Sequence, residues 1–479
     1  MVSIESLMRY AVNYAIERGA DFAEIRYISR DREGVVMRNR DVDSLYSGFE
    51  YGLSLTVLVN GVYGLASTNI ASRGYIEKLV DEAISKAKVG TGLSTFSVDE
   101  GMFEPTDVNY FLEEKNPWDD TPVEEKISIL KDFDSLVESN SFRCRFPSRL
   151  LHLERTLDTT LYMNSVDVFI HSKVPRVSIF YLVTAKYGAD TLQKFGEFGG
   201  SGGLETVWTD VVLEEFRELL VGMDRVLVDG VPSPTGKLDI VVDSEVAGII
   251  AHEAVGHPFE ADRILGREFA QAGGSYLTPG SLGSKIGSDA VTVIDDPTIP
   301  GSFGFYFYDD EGVKSRRRIL IKEGVVNEFL HNRLTAAMFN TESNGSARAG
   351  GYDKEPIVRT GNTFFEAGDY TLEELVEDIA HGIYIKSFME WNIDDYRLNQ
   401  RYTGLEAYMI DNGEISDPVK SPVIETNTYE LLGSMDAAGD NVRFYPGRCG
   451  KGDPMQVVPV WMGGPPLRFR GVRVIRRGG

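Results

Sequence analysis

Cysteine is nearly absent from this chain: Cys144 and Cys449 are the only two in 479 residues. They imply no disulfide framework, and a reducing, intracellular compartment is the simplest setting. Positive charge is also short. Forty-nine Lys and Arg stand against 73 Asp and Glu, a formal charge of −24. That balance disfavours a nucleic acid or an anionic membrane as the main partner, since both would repel the chain. No uninterrupted apolar run approaches the length of a membrane span. Met1-Val2-Ser3-Ile4-Glu5-Ser6 lacks the basic-then-apolar layout of a signal peptide. A soluble, cytoplasmic protein is the expectation. There is no repeat of fixed period and no low-complexity tract. Histidine is scarce as well, with six in all.

What is present describes a folded protein of more than one domain. Hydrophobic residues make up 42% and charged residues 25%, a globular profile, and the length exceeds one ordinary core. Ser3 caps a helix with Leu7, Met8, Ala11 and Ala15 at helical spacing, and Gly19 ends it. Phe22 to Ser29 alternates as a strand. Leu53–Val59 and Val62–Ala66 flank Asn60-Gly61, a strong hairpin signal, and Ile76, Leu79, Val80, Ala83 and Ala87 mark an amphipathic helix. After an acidic connection with Pro105 and Pro117, Thr121-Pro122-Val123-Glu124 reads as a capping box with proline at the first helical position. Strands follow from about Leu150 to Leu204, closing on the glycine-rich residues 196–203, which read better as a flexible loop than as a substrate-approach surface. Turn-formers at 229–236 mark the best boundary. Beyond it Leu238 to Val242 is a buried strand leading into a helix. Short strands with turns at Glu323-Gly324 and Asn412-Gly413 come next, along with a helix capped at Thr371. Leu467–Arg473 alternates as a half-buried strand with a solvated arginine face. These patterns predict an α+β fold. An N-terminal domain of helices and antiparallel sheet spans 1–228, divisible near 1–100 and 101–228, and a β-rich C-terminal domain spans 229–479.

The stretch His252-Glu253-Ala254-Val255-Gly256-His257 carries the chemistry. Neutral imidazoles are good zinc ligands, and a neighbouring carboxylate can serve as the base for a metal-activated water. In the familiar H-E-x-x-H signature the histidines lie four apart on one helical face, whereas here they lie five apart. On a regular helix that separation rotates them by roughly 140°, so they could not share one metal. Pro258 disfavours helix in the residue before it. The reading therefore predicts either a π-bulge or an unwound helix end at Gly256-His257-Pro258. Against it stands the ordinary use of helix histidines for caps, hydrogen bonds or solvent contact; for it stands the adjacent glutamate on a part-apolar helix. A catalytic zinc commonly has three protein ligands and one open position. The candidates for the third are Cys449, Glu260 and the run Asp309-Asp310-Glu311. Cys449 ranks first because Arg448 and Lys451, in a glycine-rich loop, would favour its thiolate. Glu260 ranks second, and Asp309 to Glu311 suits a turn. His331 could line a site but fits a structural role better. His152, His171, His381 and Cys144 show no constellation.

Over nearly its whole length the chain resembles the TldD/PmbA metallopeptidases. The resemblance is strongest from Val246 through His252, Glu253, His257 and Pro258 to Asp262. It extends through Tyr308–Gly312, Leu330–Ala337, Gly345–Arg348, Cys449-Gly450-Lys451-Gly452 and Gly463–Val472. It implies a zinc peptidase with one Zn2+ per chain, held by His252, His257 and Cys449, with Glu253 as general base. It also implies the catalytic TldD-like branch, extended or unfolded peptide substrates, an enclosed site, and a dimer formed with itself or with a metal-less PmbA-like relative. The segment Met389–Arg397 departs from the family's usual glycine-rich pattern there, which bears on substrate contacts. Rival readings are a non-enzymatic or regulatory assembly partner with a structural zinc, and a zinc amidohydrolase acting on small amides.

Overall fold

In the computed structural model, residues 3–90, 106–139, 142–269 and 273–477 are described. Seven strands drawn from residues 22–201 form one sheet. Its order is Val62–Thr68, Asp41–Val59, Phe22–Arg38, Arg145–Asn164 and Val168–Tyr187, whose far edge is shared by Thr106–Phe111 and Asp190–Ser201. The central strands are long, 17 to 20 residues, and a single strand serves two cores. Ile25, Leu55, Val57 and Leu161 pack under helices Ile4–Glu17 and Arg73–Val89. Val35, Leu153, Val177 and Ile179 pack under helices Val123–Ser139 and Asp210–Asp229. The two-residue period of a strand sends the alternate side chains to the opposite face. That face carries polar groups and docks on the C-terminal domain. Arg26 donates to the Lys354 carbonyl, Arg30 to that of Gly350, and Arg176 to those of Phe303 and Phe305.

The C-terminal domain holds a ten-stranded mixed sheet and a six-stranded one. In the first, Gly236–Val242 runs antiparallel to Leu467–Arg476 and parallel to His381–Ile385. In the second, Asn362–Phe365 runs parallel to Gln456–Gly464, which pairs antiparallel with the edge strand Arg443–Lys451. Val246, Ile249, Ile250 and Ala254 pack in one core with Ile240 and Phe469 from the larger sheet and Val293 and Phe365 from the smaller. The histidine-bearing helix is thus enclosed by both. Helices and antiparallel strands are segregated as the sequence predicts, and the fold is α+β. Among the described residues no helix is long and apolar enough to cross a membrane.

Local expectations meet mixed outcomes. Ser3 accepts from the Ser6 amide at the head of Ile4–Glu17, and Asn60 and Gly61 both adopt positive φ in their hairpin. Thr371 and Glu374 form a reciprocal capping box on the short helix Leu372–Val376. Thr121 does not cap: its hydroxyl donates to the Pro117 carbonyl, and Pro122 precedes the helix rather than opening it. The strand expected at Phe22–Ser29 continues to Arg38. Most of residues 196–203 are strand, not loop. A Cβ at Gly196 would lie 2.3 Å from the Tyr181 hydroxyl and one at Gly199 2.7 Å from the Val177 carbonyl, so close packing demands these glycines. The arginine face of Leu467–Arg476 is paired, not merely solvated: Arg468 and Arg470 share Asp378 and Asp436, and Arg470 also takes Asp239.

Candidate metal centre

The strand Gly236–Val242 delivers the chain to Asp243, whose carboxylate accepts the Ser244 amide at 2.7 Å and heads helix Ser244–Ile250. Gly248 lets this helix lie directly on a strand: an added Cβ would stand 2.8 Å from the Gly463 nitrogen and the Met462 carbonyl carbon. The next six residues, Ala251–Gly256, form a π-turn in which the His257 amide donates to the His252 carbonyl at 3.0 Å. Of the two distortions the spacing required, the structure adopts this one. A five-residue closure brings residues five apart to the same side, and the two imidazole centroids lie 4.5 Å apart. Pro258 follows, and the backbone turns away.

Cys449 meets the pair from the edge strand Arg443–Lys451, so it lies on a strand and not in a flexible loop. Its Sγ is 3.2 Å from Nε2 of His257. One donor atom from each of His252, His257 and Cys449 falls within 4.8 Å of the others, and all three residues are buried. Burial pushes the Cys449 thiol up, but His257, Arg359 and His252 outweigh it and hold the group well below its ordinary value. Arg448 and Lys451, the cations expected to do this, are engaged elsewhere. Arg448 pairs with Glu154 and Glu197 across the domain junction, and Lys451 pairs with Asp262 and Glu260. Burial likewise pushes His252 down, and Cys449 together with Glu253 more than reverses it, raising the imidazole above its ordinary value.

Glu260 does not join this group. Its Oε2 sits 3.2 Å from Nδ1 of His257, on the other side of the ring from Cys449, and also 3.1 Å from Arg263 Nε and Lys451 Nζ. Burial would raise this carboxyl, yet Lys451, His257 and Arg263 hold it well below the usual carboxylate range. A carboxylate behind a ligating imidazole fixes its tautomer and orientation. Asp309 and Glu311 lie elsewhere and build a turn. Asp309 accepts the amides of Glu311, Val313 and Ala347, while Glu311 accepts from Arg333.

The donor set fits a zinc ion. Two imidazoles and a thiol drawn toward thiolate are borderline-soft ligands of the kind zinc takes. Nδ1 of His252 is buried with no hydrogen-bond partner among the described residues, a state that costs about 1–3 kcal/mol if nothing satisfies it.

These side chains open on a cavity of about 660 Å³ at the domain junction, lined also by Phe180, Phe195 and Phe198 from the first sheet and by Phe388, Trp391 and Tyr445 from the C-terminal domain. Glu253 projects into it and is ion-paired with Arg397. Four contributors were not foreseen. Arg397 and Trp391 sit in the segment that departs from the family pattern, and Gly196 and Glu197 belong to the stretch read as a loop. His152 also lines the cavity, 2.7 Å from the Tyr46 hydroxyl. His331 is buried against Phe329 and Phe339, as a structural residue. His171 packs on Phe111, His381 is exposed beside Asp411, and Cys144 is buried with its amide on Asp224.

Comparison with known proteins gives this geometry its relatives. Residues 23–87, 116–227 and 235–476 match, in turn, PmbA/TldA metallopeptidase domain 1, the central domain and the C-terminal domain. A metalloprotease of Methanothermobacter thermautotrophicus is 33% identical over 459 residues, 96% of each chain. A zinc metalloprotease TldD homolog of Saccharolobus solfataricus is 26% identical, over 97% of this chain and 98% of its own. The crystal structure of TldE from Thermococcus kodakarensis shares the fold, with a TM-score of 0.72 at 18% identity across 98% of this chain and 99% of its own. With three family domains in series and relatives of matching length, the chain belongs to the TldD/PmbA metallopeptidase family.

Proposed function

We propose that this protein is a zinc-dependent peptidase that hydrolyses extended or unfolded peptides, with Glu253 as general base. The observation that carries the reading is the buried group of His252, His257 and Cys449 beside Glu253 in one cavity. His252, His257 and Cys449 would hold one zinc ion. Zinc bound there would supply Lewis acidity, polarising the scissile carbonyl and lowering the pKa of a bound water. Glu253 takes a proton from the attacking water and returns it to the leaving amine. Glu260, at ion-pair distance from Nδ1 of His257, is placed to hold the ring with Nε2 toward Cys449. The aromatic walls exclude bulk water and grip apolar side chains. Three donors, with Glu260 turned away, favour a catalytic centre with an open position over a closed structural one.

Metal analysis paired with a peptide-library digest tests this. The wild type should contain zinc and cut peptides, whereas Glu253→Gln should retain the metal and lose hydrolysis. Undiminished cleavage by Glu253→Gln would remove Glu253 from the mechanism, and a wild type that cuts no peptide would sink the activity. The reading carries the family's dimer with it, of two copies or of one copy with a metal-less relative. Light scattering on the purified chain separates a self-dimer from a monomer.

A further inference from the structure

Strands Phe388–Ile393 and Asn399–Gly404 form a hairpin at the edge of the large sheet, and its turn carries Arg397. This arginine has φ +56. A left-handed conformation in a non-glycine residue is strained and persists only where its surroundings impose it. They do so here. The Arg397 amide donates to the Asp394 carbonyl at 2.9 Å, and the Asp394 carboxylate accepts the Leu398 amide at 2.8 Å and the Asn399 side chain at 2.6 Å. From a neighbouring segment Thr428 closes the turn, its hydroxyl donating to the Arg397 carbonyl at 3.1 Å and its amide to that of Leu398 at 2.8 Å.

A turn fixed at both ends by side chains holds its own side chain in one direction, and this one enters the cavity. The Arg397 side chain is only 14% exposed, and Nη1 donates to Oε2 of Glu253, itself 10% exposed. Among the described residues Glu253 is the one ionic partner of Arg397, and Arg397 is the one hydrogen-bond partner of the Glu253 carboxylate. Among the described residues Nε of Arg397 is buried without a partner. A strained backbone and an unpaired donor are both tolerated to keep this guanidinium on this carboxylate. The other cavity arginine, Arg448, is taken up by Glu154, Glu197 and Ser178.

We propose that Arg397 is the positioning residue for Glu253. It fixes the carboxylate next to His252 in the pose from which a proton can be accepted. Without it the three rotatable bonds of the glutamate leave that pose unspecified. The proposal rests on Glu253 being the general base. Misplacing a reacting group by about an ångström costs on the order of 100-fold in rate, and that is the effect expected on kcat.

Arg397→Gly is the informative variant, because glycine accepts the left-handed turn without strain and removes only the side chain. Full-length wild type, Arg397→Gly, Arg397→Lys and Glu253→Gln would be loaded with zinc. Each would be compared for bound metal, Tm and steady-state kinetics on one fluorogenic peptide that the wild type cleaves. Arg397→Gly should keep its metal and its fold and lose on the order of 100-fold in kcat with little change in KM, and Arg397→Lys should restore part of the loss. Wild-type kcat in Arg397→Gly overturns the proposal. So does a raised kcat, which would make the ion pair a lock, and so does loss of metal or fold, which would make Arg397 structural. If Glu253→Gln is inactive while Arg397→Gly is not, the positioning role alone fails; if Glu253→Gln is also active, the assignment of the base fails with it.

Discussion

Replacing Glu260 with glutamine separates orientation of His257 from stability of the fold. In the wild type a fully buried Oε2 faces Nδ1 of His257 at 3.2 Å and the cations Arg263 and Lys451 at 3.1 Å each. Glutamine has nearly the same shape but no charge. Lys451 would keep Asp262 at 2.6 Å and the Val358 carbonyl at 2.8 Å, Arg263 would keep the Gly273 carbonyl at 3.1 Å, and the amide oxygen of glutamine can still accept from both cations. His257 has no such reserve. It loses the anion that sets its tautomer and raises the basicity of Nε2. Loss of such a partner typically weakens metal binding by about 10- to 100-fold, or roughly 1.4–2.7 kcal/mol. Glu260→Ala removes the acceptor oxygens as well as the charge, and each buried donor that loses its acceptor costs about a further 1–3 kcal/mol of stability. Competition with a chromogenic chelator gives the zinc Kd, and thermal unfolding of the metal-free proteins gives the stability. Glu260→Gln should bind zinc more weakly at a modest cost in Tm, whereas Glu260→Ala should show a large loss of Tm. A wild-type Kd in Glu260→Gln would refute the orienting role.

Two further perturbations probe the frame around the site. Burial pushes His331 down to about 4, while the unfolded chain takes its proton near 6.5. Stability from this neutral histidine is therefore complete above pH 6.5 and is lost as pH falls toward 4, by roughly 3 kcal/mol. His331→Asn should flatten the fall in Tm over that range, and an unchanged slope would rule the histidine out as its source. Gly248→Ala sets a methyl 2.8 Å from the backbone of Met462 and Gly463, overpacking worth about 1–3 kcal/mol. It should lower both Tm and zinc affinity, and wild-type values for both would show that the helix has room to move.

Much of the architecture could be read from local signals because local physics decides it. Ser3, the Asn60-Gly61 turn and the Thr371–Glu374 box each specify a conformation within a few residues. Most misses lie where a distant partner decides; Thr121, turned back to the nearby Pro117 carbonyl, is a local one. Arg30, Asp31, Arg32 and Glu33 interrupt the apolar alternation of their strand, so a sequence reading stops at Ser29. The strand continues because Asp158 and the Gly350 carbonyl, far along the chain, satisfy Arg30. Residues 196–203 look like a flexible loop by composition, yet Tyr181 and the Val177 carbonyl require small residues on a pairing strand. Arg397 closes the segment that departs from the family pattern, yet nothing in that segment points to Glu253. Only the fold places a surface-looking hairpin over Glu253.

The site itself turned on one question that spacing leaves open, namely whether Glu260 or Cys449 completes the histidine pair. Glu260 follows His257 by three residues, and on an uninterrupted helix it would stay near the same face. Pro258 ends that possibility. After it the backbone is extended at Glu260 (φ −69, ψ 114), and the carboxylate swings behind the ring to Nδ1. The π-turn meanwhile rotates His257 so that Nε2 points toward the edge strand bearing Cys449, 192 residues away. Gly256 contributes through its size more than its flexibility, since a Cβ there would lie 3.0 Å from Thr360 and 3.2 Å from Thr363. The two competing residues therefore occupy opposite nitrogens of one imidazole. A cation at Nε2 would be within reach of Cys449 and not of Glu260, which can act on it only through the ring.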